Sequence, residues 1–238
     1  TLQLVRGEWR AFNTENNPQN VIAEPAIVNP ALDNSTVDVE TVSIEQNGNR
    51  TPIPYVVPPG IQRQRNYNNL QTNTKLNEQS LSLNFTNVRD GYSRAAFKPF
   101  NNDLRKYKRL QMFIHAEGSQ VRNNDVSAFI RLGIDYIDNY YEYEIPLSVT
   151  QPGTASPDAI WPAENELDLQ LSLLTNAKVA RNNAKLNGQP WPLNVPFTLS
   201  DGRNKITIKG QPDLSRLAAV MVGIRNPLRT SSNSATDD

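Results

Sequence analysis

The sequence predicts a mostly β fold, an antiparallel β-sandwich of jelly-roll type with one helix. The first observation is a set of runs in which apolar side chains occupy every second position, as in residues 110–116, 128–136 and 141–149. Such alternation directs apolar side chains to one face of a sheet. The second observation is that about ten short segments of this kind are separated by turn-forming residues, which is typical of sandwiches.

Composition excludes several classes of protein. The 24 Lys and Arg residues balance the 24 Asp and Glu residues, so the basic footprint of a nucleic-acid-binding protein is absent. The chain has no Cys and one His, which excludes disulfides, thiol catalysis and zinc sites rich in Cys or His. No apolar run approaches the length of a membrane-spanning helix, so we expect no membrane span.

We expect one domain, residues 1–229, followed by a flexible tail, residues 230–238. Residues 1–12 are predicted to form a strand that buries Trp9, and they are followed by an irregular arm, residues 13–33, with three prolines. Residues 50–77 are rich in Pro and Asn, which predicts an extended segment without ladder hydrogen bonds. A chain that opens inside an apparent strand and shows no signal peptide is expected to be a fragment of a larger protein.

The three alternating runs between residues 104 and 149 predict an antiparallel meander, joined by the polar loop 119–125 and a turn at Asp138 and Asn139. Residues 164–182 are the best helix candidate, with acidic residues early and basic residues late. Leucines at every second position from Leu167 to Leu173 also permit a strand in the first half of this segment. Residues 205–209 and 217–225 are predicted strands.

Several strings occur in this order along the chain: LQLVRGEWR, PYVVPPGIQRQR, LNEQSLSL, DLRKYKRLQMFIHAEG, FIRLGIDYIDNYYEYEIPL, IWPAENELDL and KGQPDLSRLAAVMVGIRNP. Together they resemble the SprA family of gliding-motility proteins, also called Sov, and the resemblance spans nearly the full chain. Members of this family form the outer-membrane translocon of the type IX secretion system in Bacteroidota.

The resemblance implies that the intact protein is a very large β-barrel that exports folded cargo with a C-terminal signal. This chain would be a non-catalytic domain outside the membrane, in contact with the rest of the barrel, accessory subunits or secreted cargo. Charged residues on the second faces of its strands suit water or a protein interior better than lipid. Because extracellular loops of such barrels are long and periplasmic turns short, the extracellular side is favoured over the periplasmic side.

Four acidic residues near one hairpin, Asp135, Asp138, Glu142 and Glu144, are the candidates for a calcium site. The favoured interpretation is a solvated sheet face with Arg131 as a cross-strand partner, because no compact Asp-x-Asp-x-Asp-Gly loop is present. Glu142 and Glu144 also share a face about 6.6 Å apart at their Cα atoms. One alternative hypothesis is therefore a glycoside-active enzyme with this carboxylate pair.

Three aromatic residues, Tyr140, Trp161 and Trp191, are the candidates for contact with a sugar or a partner chain. The alternation predicts that Tyr141 is buried and Tyr140 exposed, whereas packing is favoured for each Trp. A row of such rings on one sheet face would favour another alternative, a jelly-roll carbohydrate-binding module. His115 lacks a metal-ligating neighbour in the sequence and is expected to be structural or solvent-facing.

Overall fold

The computed structural model describes residues 9–12, 22–24, 34–65 and 75–228. Most of the predicted arm, the Asn-rich residues 66–74 and the predicted tail lie outside the described residues. The strands are β1 (Arg10–Ala11), β2 (Ile22–Ala23), β3 (Thr36–Ser43), β4 (Gln79–Thr86), β5 (Tyr92–Asn102), β6 (Arg109–Met112), β7 (Ser127–Gly133), β8 (Tyr140–Pro146), β9 (Leu167–Gln170), β10 (Lys185–Leu186), β11 (Gln189–Pro190), β12 (Phe197–Asp201), β13 (Asn204–Lys209) and β14 (Leu217–Arg225).

Helices are few and mostly short. They are α1 (Ile44–Asn47), α2 (Pro157–Ile160) and α3 (Leu171–Asn183), with a 3-10 turn at Ala163–Asn165. The expected mostly β, antiparallel fold is therefore confirmed, while the jelly-roll connectivity stays a prediction. Helix α3 begins later than expected, because the first half of the predicted helix forms β9 instead. The alternating leucines were the correct signal for that half.

An eight-stranded sheet, the main sheet, organises the described residues. Its strands follow the order β1-β5-β14-β7-β8-β13-β12, and β2 also pairs with β5. All of these pairings are antiparallel. The last strand that the structure describes, β14, lies between β5 and β7 and therefore occupies a central position in the sheet.

The predicted three-stranded meander is wrong in one strand. The β7–β8 hairpin forms, but β6 pairs with β9 and not with β7. The edge of β7 is occupied by β14, whose seven residues from Ala219 to Arg225 pair with it in continuous register. Alternation predicted each of these strands, yet it carries no information about which strand lies beside which.

The two faces of the main sheet differ in chemistry. The helix-side face is mainly apolar, with Arg94 of β5 as a buried exception, and it packs against α3 and the β6–β9 pair, which contribute Leu110, Leu169 and Leu174 to the principal core. The opposite face, which we call the charged face, carries a smaller apolar core of Phe12, Ile22, Ala95, Phe129 and Met221 beside several ionised side chains. Both faces of the central strands are therefore buried.

Candidate functional site

Five charged side chains lie together on the charged face, and we call them the ion cluster: Arg131, Glu142, Glu144, Lys205 and Arg225. The register places Arg131 opposite Glu142 on neighbouring strands, and Glu144 opposite Lys205. Arg225 reaches them from β14, on the other side of β7. Because side chains alternate along each strand, all five project from the same face.

Hydrogen bonds and ion pairs connect the cluster across four strands. Arg131 donates to Glu142 Oε2 from Nη2 and Nε, at 2.6 and 2.9 Å. Arg225 donates to Glu142 Oε1 at 2.9 Å and also to Glu144 Oε2. Lys205 Nζ lies 3.5 Å from Glu144 Oε1, an oxygen that accepts no hydrogen bond from any described residue. Glu142 and Glu144 are 2 % and 3 % exposed, so these contacts replace water.

The electrostatics of the cluster keep Glu142 ionised. Burial alone would raise the pKa of this carboxyl, but the charges of Arg225 and Arg131 outweigh it and lower the pKa to about 2. Burial would likewise lower the pKa of Arg225, and the two carboxylates raise it instead. A glycosidase acid needs a carboxyl with a raised pKa, and Glu142 has the opposite shift.

Aromatic rings flank the guanidinium groups of the cluster. Arg131 Cζ lies 3.8 Å from the centroid of the Tyr140 ring, and the Phe129 ring lies within 6 Å of both Arg131 and Arg225. The predicted exposure of Tyr140 is wrong, since this side chain is 7 % exposed. Alternation correctly gave Tyr140 and Tyr141 opposite faces, but β8 is central and both of its faces are covered.

The two predicted tryptophans lie elsewhere in the fold. Trp161 is buried in a third core with Tyr55 and Ile160, and its indole N–H donates to Val56 at 2.9 Å. Trp191 is half-buried, and its ring meets the Phe197 ring edge-on at 5.1 Å. The structure therefore does not bring Tyr140, Trp161 and Trp191 into one row.

The calcium candidates divide between two places. Asp135 accepts the backbone N–H groups of Ile137, Asp138 and Asn139 at 2.6 to 3.0 Å and so closes the β7–β8 turn. Asp138 pairs with Lys209 at 2.8 Å, whereas Glu142 and Glu144 belong to the ion cluster. Within the part of the chain that the structure describes, no group of three or more His, Asp or Glu side chains is arranged to hold a metal ion.

His115 joins two segments at a part-buried position. Its Nδ1 lies 2.9 Å from the carbonyl oxygen of Ile160 and 3.2 Å from the hydroxyl of Thr150, while Nε2 lies 3.4 Å from Glu117. Glu117 also pairs with Arg50. His115 therefore connects the segment after β6 to Thr150 and Ile160, and its neighbour Glu117 connects the same segment to Arg50.

Sequence reasoning identified part of the ion cluster and missed the rest. The cross-strand partnership of Arg131 is confirmed by its contact with Glu142, but the expected solvated face is wrong, because Glu142 and Glu144 are buried. Arg225 and Lys205 were not singled out, because they lie 83 and 61 residues from their glutamate partners. An available signal was that Arg225 is a single charge on an otherwise apolar strand, in phase with Met221 and Gly223.

Comparison with known proteins gives one family. A family model, SprA_N, described as motility related/secretion protein, matches residues 1–237. No curated protein matches the chain. None of the helices that the structure describes is long and apolar enough to cross a membrane. Because the match covers nearly the whole sequence, the chain belongs to the SprA_N family of motility-related and secretion proteins.

Proposed function

We propose that this chain is a non-catalytic extramembrane domain of the outer-membrane translocon of the type IX secretion system. It contributes to protein export and gliding motility through contacts with the rest of the barrel, accessory subunits or secreted cargo. The observation that carries this proposal is the family match over residues 1–237, together with the resemblance of long strings across the chain. Neither catalysis nor a metal ion is needed for such a role.

The ion cluster supports a structural role for the most conspicuous polar residues. Each guanidinium in it is engaged by a carboxylate, and the rings of Tyr140 and Phe129 lie against Arg131. Removing one partner from a buried ion pair typically costs about 3–5 kcal/mol, because the remaining charge stays buried. The cluster therefore fixes the packing of the charged face and leaves exposed segments for contacts with other chains.

The side of the membrane is part of the proposal. Extracellular segments of outer-membrane barrels are longer than periplasmic turns, and a domain of this size fits an extracellular position. The polar loop 119–125 offers a place to test this. Asn123 accepts a hydrogen bond from the Val149 N–H and Asn124 has φ of 67°, whereas Gln120 is exposed and is the better labelling position.

Two measurements on the full-length translocon in cells test the proposal. In-frame deletion of residues 9–228 is expected to abolish cargo secretion and gliding while the barrel remains in the outer membrane. Gln120→Cys is expected to react with a membrane-impermeant maleimide on intact, secreting cells. Val220→Cys is the matched control, because this position is fully buried and should react only after unfolding.

Normal secretion and gliding after the deletion, with normal barrel levels, would contradict the functional proposal. Labelling of Gln120→Cys only after permeabilisation of the outer membrane would contradict the extracellular position and assign the domain to the periplasm. These outcomes are separate, since the deletion tests the role in export and the labelling tests the location.

A further inference from the structure

The two edges of the main sheet differ in whether another strand covers them. At one edge, β1 and β2 cover the outer side of β5. At the other edge, β12 pairs with β13, and no strand among the described residues pairs with its outer side. Apart from the ladder to β13, residues 197–201 form no backbone hydrogen bond with any described segment. An uncovered edge is a template for another strand.

The register identifies the groups on this open edge. Asp201 and Asn204 close the two-residue turn between β12 and β13, with Gly202 at φ 63°. Hydrogen-bonded and non-hydrogen-bonded pairs alternate along an antiparallel ladder from such a closing pair. Thr198 and Ser200 therefore direct their N–H and C=O groups outward. The 2.9 Å contact between the Thr198 and Thr207 hydroxyls fits a close, non-hydrogen-bonded pair.

Three of the usual devices that block an edge, a lysine, a proline and a bulge, are absent from β12, whose one charged side chain is Asp201 at the turn. Natural edge strands carry Lys, Pro or a bulge to prevent pairing with other chains. The five residues of β12 contain neither Lys nor Pro, and their pairing with β13 has no register shift. Pro196 directly precedes β12 and has no backbone N–H to donate, so an added strand can pair only from residue 197 onward.

Side chains beside this edge define the partner that fits it. On the helix-side face, Phe197 and Leu199 are half-buried, and the Trp191 ring packs against Phe197. On the charged face, the exposed Thr198 and Ser200 lie beside Lys205, which is half exposed. A matching strand is apolar on the side of Trp191 and polar or acidic on the side of Lys205.

We propose that the outer edge of β12, with Trp191, binds an extended segment of a different protein as an added strand of the main sheet. Main-chain hydrogen bonds to Thr198 and Ser200 supply the affinity, and the alternating side chains supply the selectivity. Apolar residues at every second position of the partner contact Phe197, Leu199 and Trp191. This edge is then one surface through which the domain makes the protein contacts of the proposed function. The identity of the partner in cells rests on that proposed function.

Amide exchange of the folded 238-residue chain tests the edge with a defined probe. The probe is a synthetic peptide NEITIE, the sequence of Asn204–Lys209 with Lys205→Glu and Lys209→Glu, because that strand already pairs with the inner side of β12 and the two glutamates give it an acidic side. A millimolar excess of peptide is expected to slow exchange of the Thr198 and Ser200 N–H groups by about tenfold, since pairing protects exposed amides. Fluorescence of the tryptophans should change in the same titration.

Matched variants separate edge pairing from general binding. Ser200→Pro removes one outward N–H and is expected to abolish the protection, whereas Ser200→Ala retains this N–H and should bind normally. A peptide N-methylated at alternate residues should fail to bind the unchanged chain, which tests the edge even when Ser200→Pro does not fold.

Three outcomes would overturn the proposal. The first is unchanged exchange of Thr198 and Ser200 at a millimolar excess of peptide. The second is equal protection by the N-methylated peptide. The third is concentration-dependent protection of the chain by itself, abolished by Ser200→Pro, which would assign the edge to a second copy. Because the isolated chain is used, failure here leaves the tests of export and membrane side unaffected.

Discussion

At the scale of single residues, Glu142 is the side chain on which the charged face depends. It receives hydrogen bonds from Arg131 and Arg225 and connects β7, β8 and β14. A carboxylate in this position is stabilised only while both guanidinium groups are in place. Its charge is therefore linked to folding, and the linkage can be measured by changing the pH.

We predict that Glu142 makes the free energy of unfolding fall at acidic pH. Its pKa is about 2 in the folded chain and 4.5 in the absence of its partners. A lowered pKa in the folded state means that the stabilisation is complete above pH 4.5 and is lost as the pH falls to about 2. The contribution is on the order of 3 kcal/mol. Urea unfolding between neutral pH and this acidic limit measures it.

Variants identify Glu142 as the source of this dependence. Glu142→Gln is expected to destabilise the chain at neutral pH and to flatten the decline in the acidic window. The control is Asp103→Asn: the hydrogen bond from Arg105 lowers the pKa of Asp103 to about 2, but this pair is exposed and lies within two residues. Solvent screening leaves such a pair little effect on stability. An unchanged acidic slope in Glu142→Gln would refute the assignment.

At the scale of elements, the segment from β9 to α3 shows how one leucine can satisfy two periodicities. Leu167, Leu169 and Leu171 alternate as in a strand, and Leu171, Leu174 and Ala177 follow helical spacing. The structure uses both patterns, and Leu171 is the residue at which one ends and the other begins. Period alone could not fix this boundary, because Leu171 fits both patterns.

Local patterns predicted elements well and their neighbours poorly. Alternation located β7, β8 and β13, and it gave the bounds of β14. It could not show that β14 lies between β5 and β7, since those pairings join residues from 86 (Ala219 and Gly133) to 132 (Arg225 and Ser93) positions apart. The ion cluster followed the same rule: the partner of Arg131 on the adjacent hairpin strand was predicted, and distant Arg225 was not.

We predict that α3 is held to the main sheet by its buried face. Leu174 is 1 % exposed within the principal core, and Leu174→Ala is expected to lower the free energy of unfolding by about 3 kcal/mol through the cavity it leaves. Val179 on the same helix is 59 % exposed, and Val179→Ala should change it by less than about 0.5 kcal/mol. Chemical denaturation of both variants measures the difference, and equal effects would mean that α3 is not docked as described.

At the scale of the whole molecule, the order of strands makes the fold depend on β14, the last strand that the structure describes. The strands β5 and β7 are separated by 24 residues in the chain, yet they meet only through β14. Val220 and Met221 of β14 are fully buried, one in each of the two cores. Without β14, the inner edges of β5 and β7 are open and the Arg225 contacts of the ion cluster are lost.

We therefore predict that the chain folds only when β14 is present. Deletion of residues 217–238 should remove the cooperative thermal transition, because it unpairs two central strands and opens both cores. Deletion of residues 229–238 is the matched control and is expected to leave the melting temperature unchanged, since Ala235 is the one apolar residue in this segment of mostly Ser, Thr and Asp. Circular dichroism melts and amide chemical-shift dispersion distinguish the two products. A cooperative transition in the chain that lacks β14 would show that the remaining strands form a stable sheet, and the central position of β14 would then not be the feature on which folding depends.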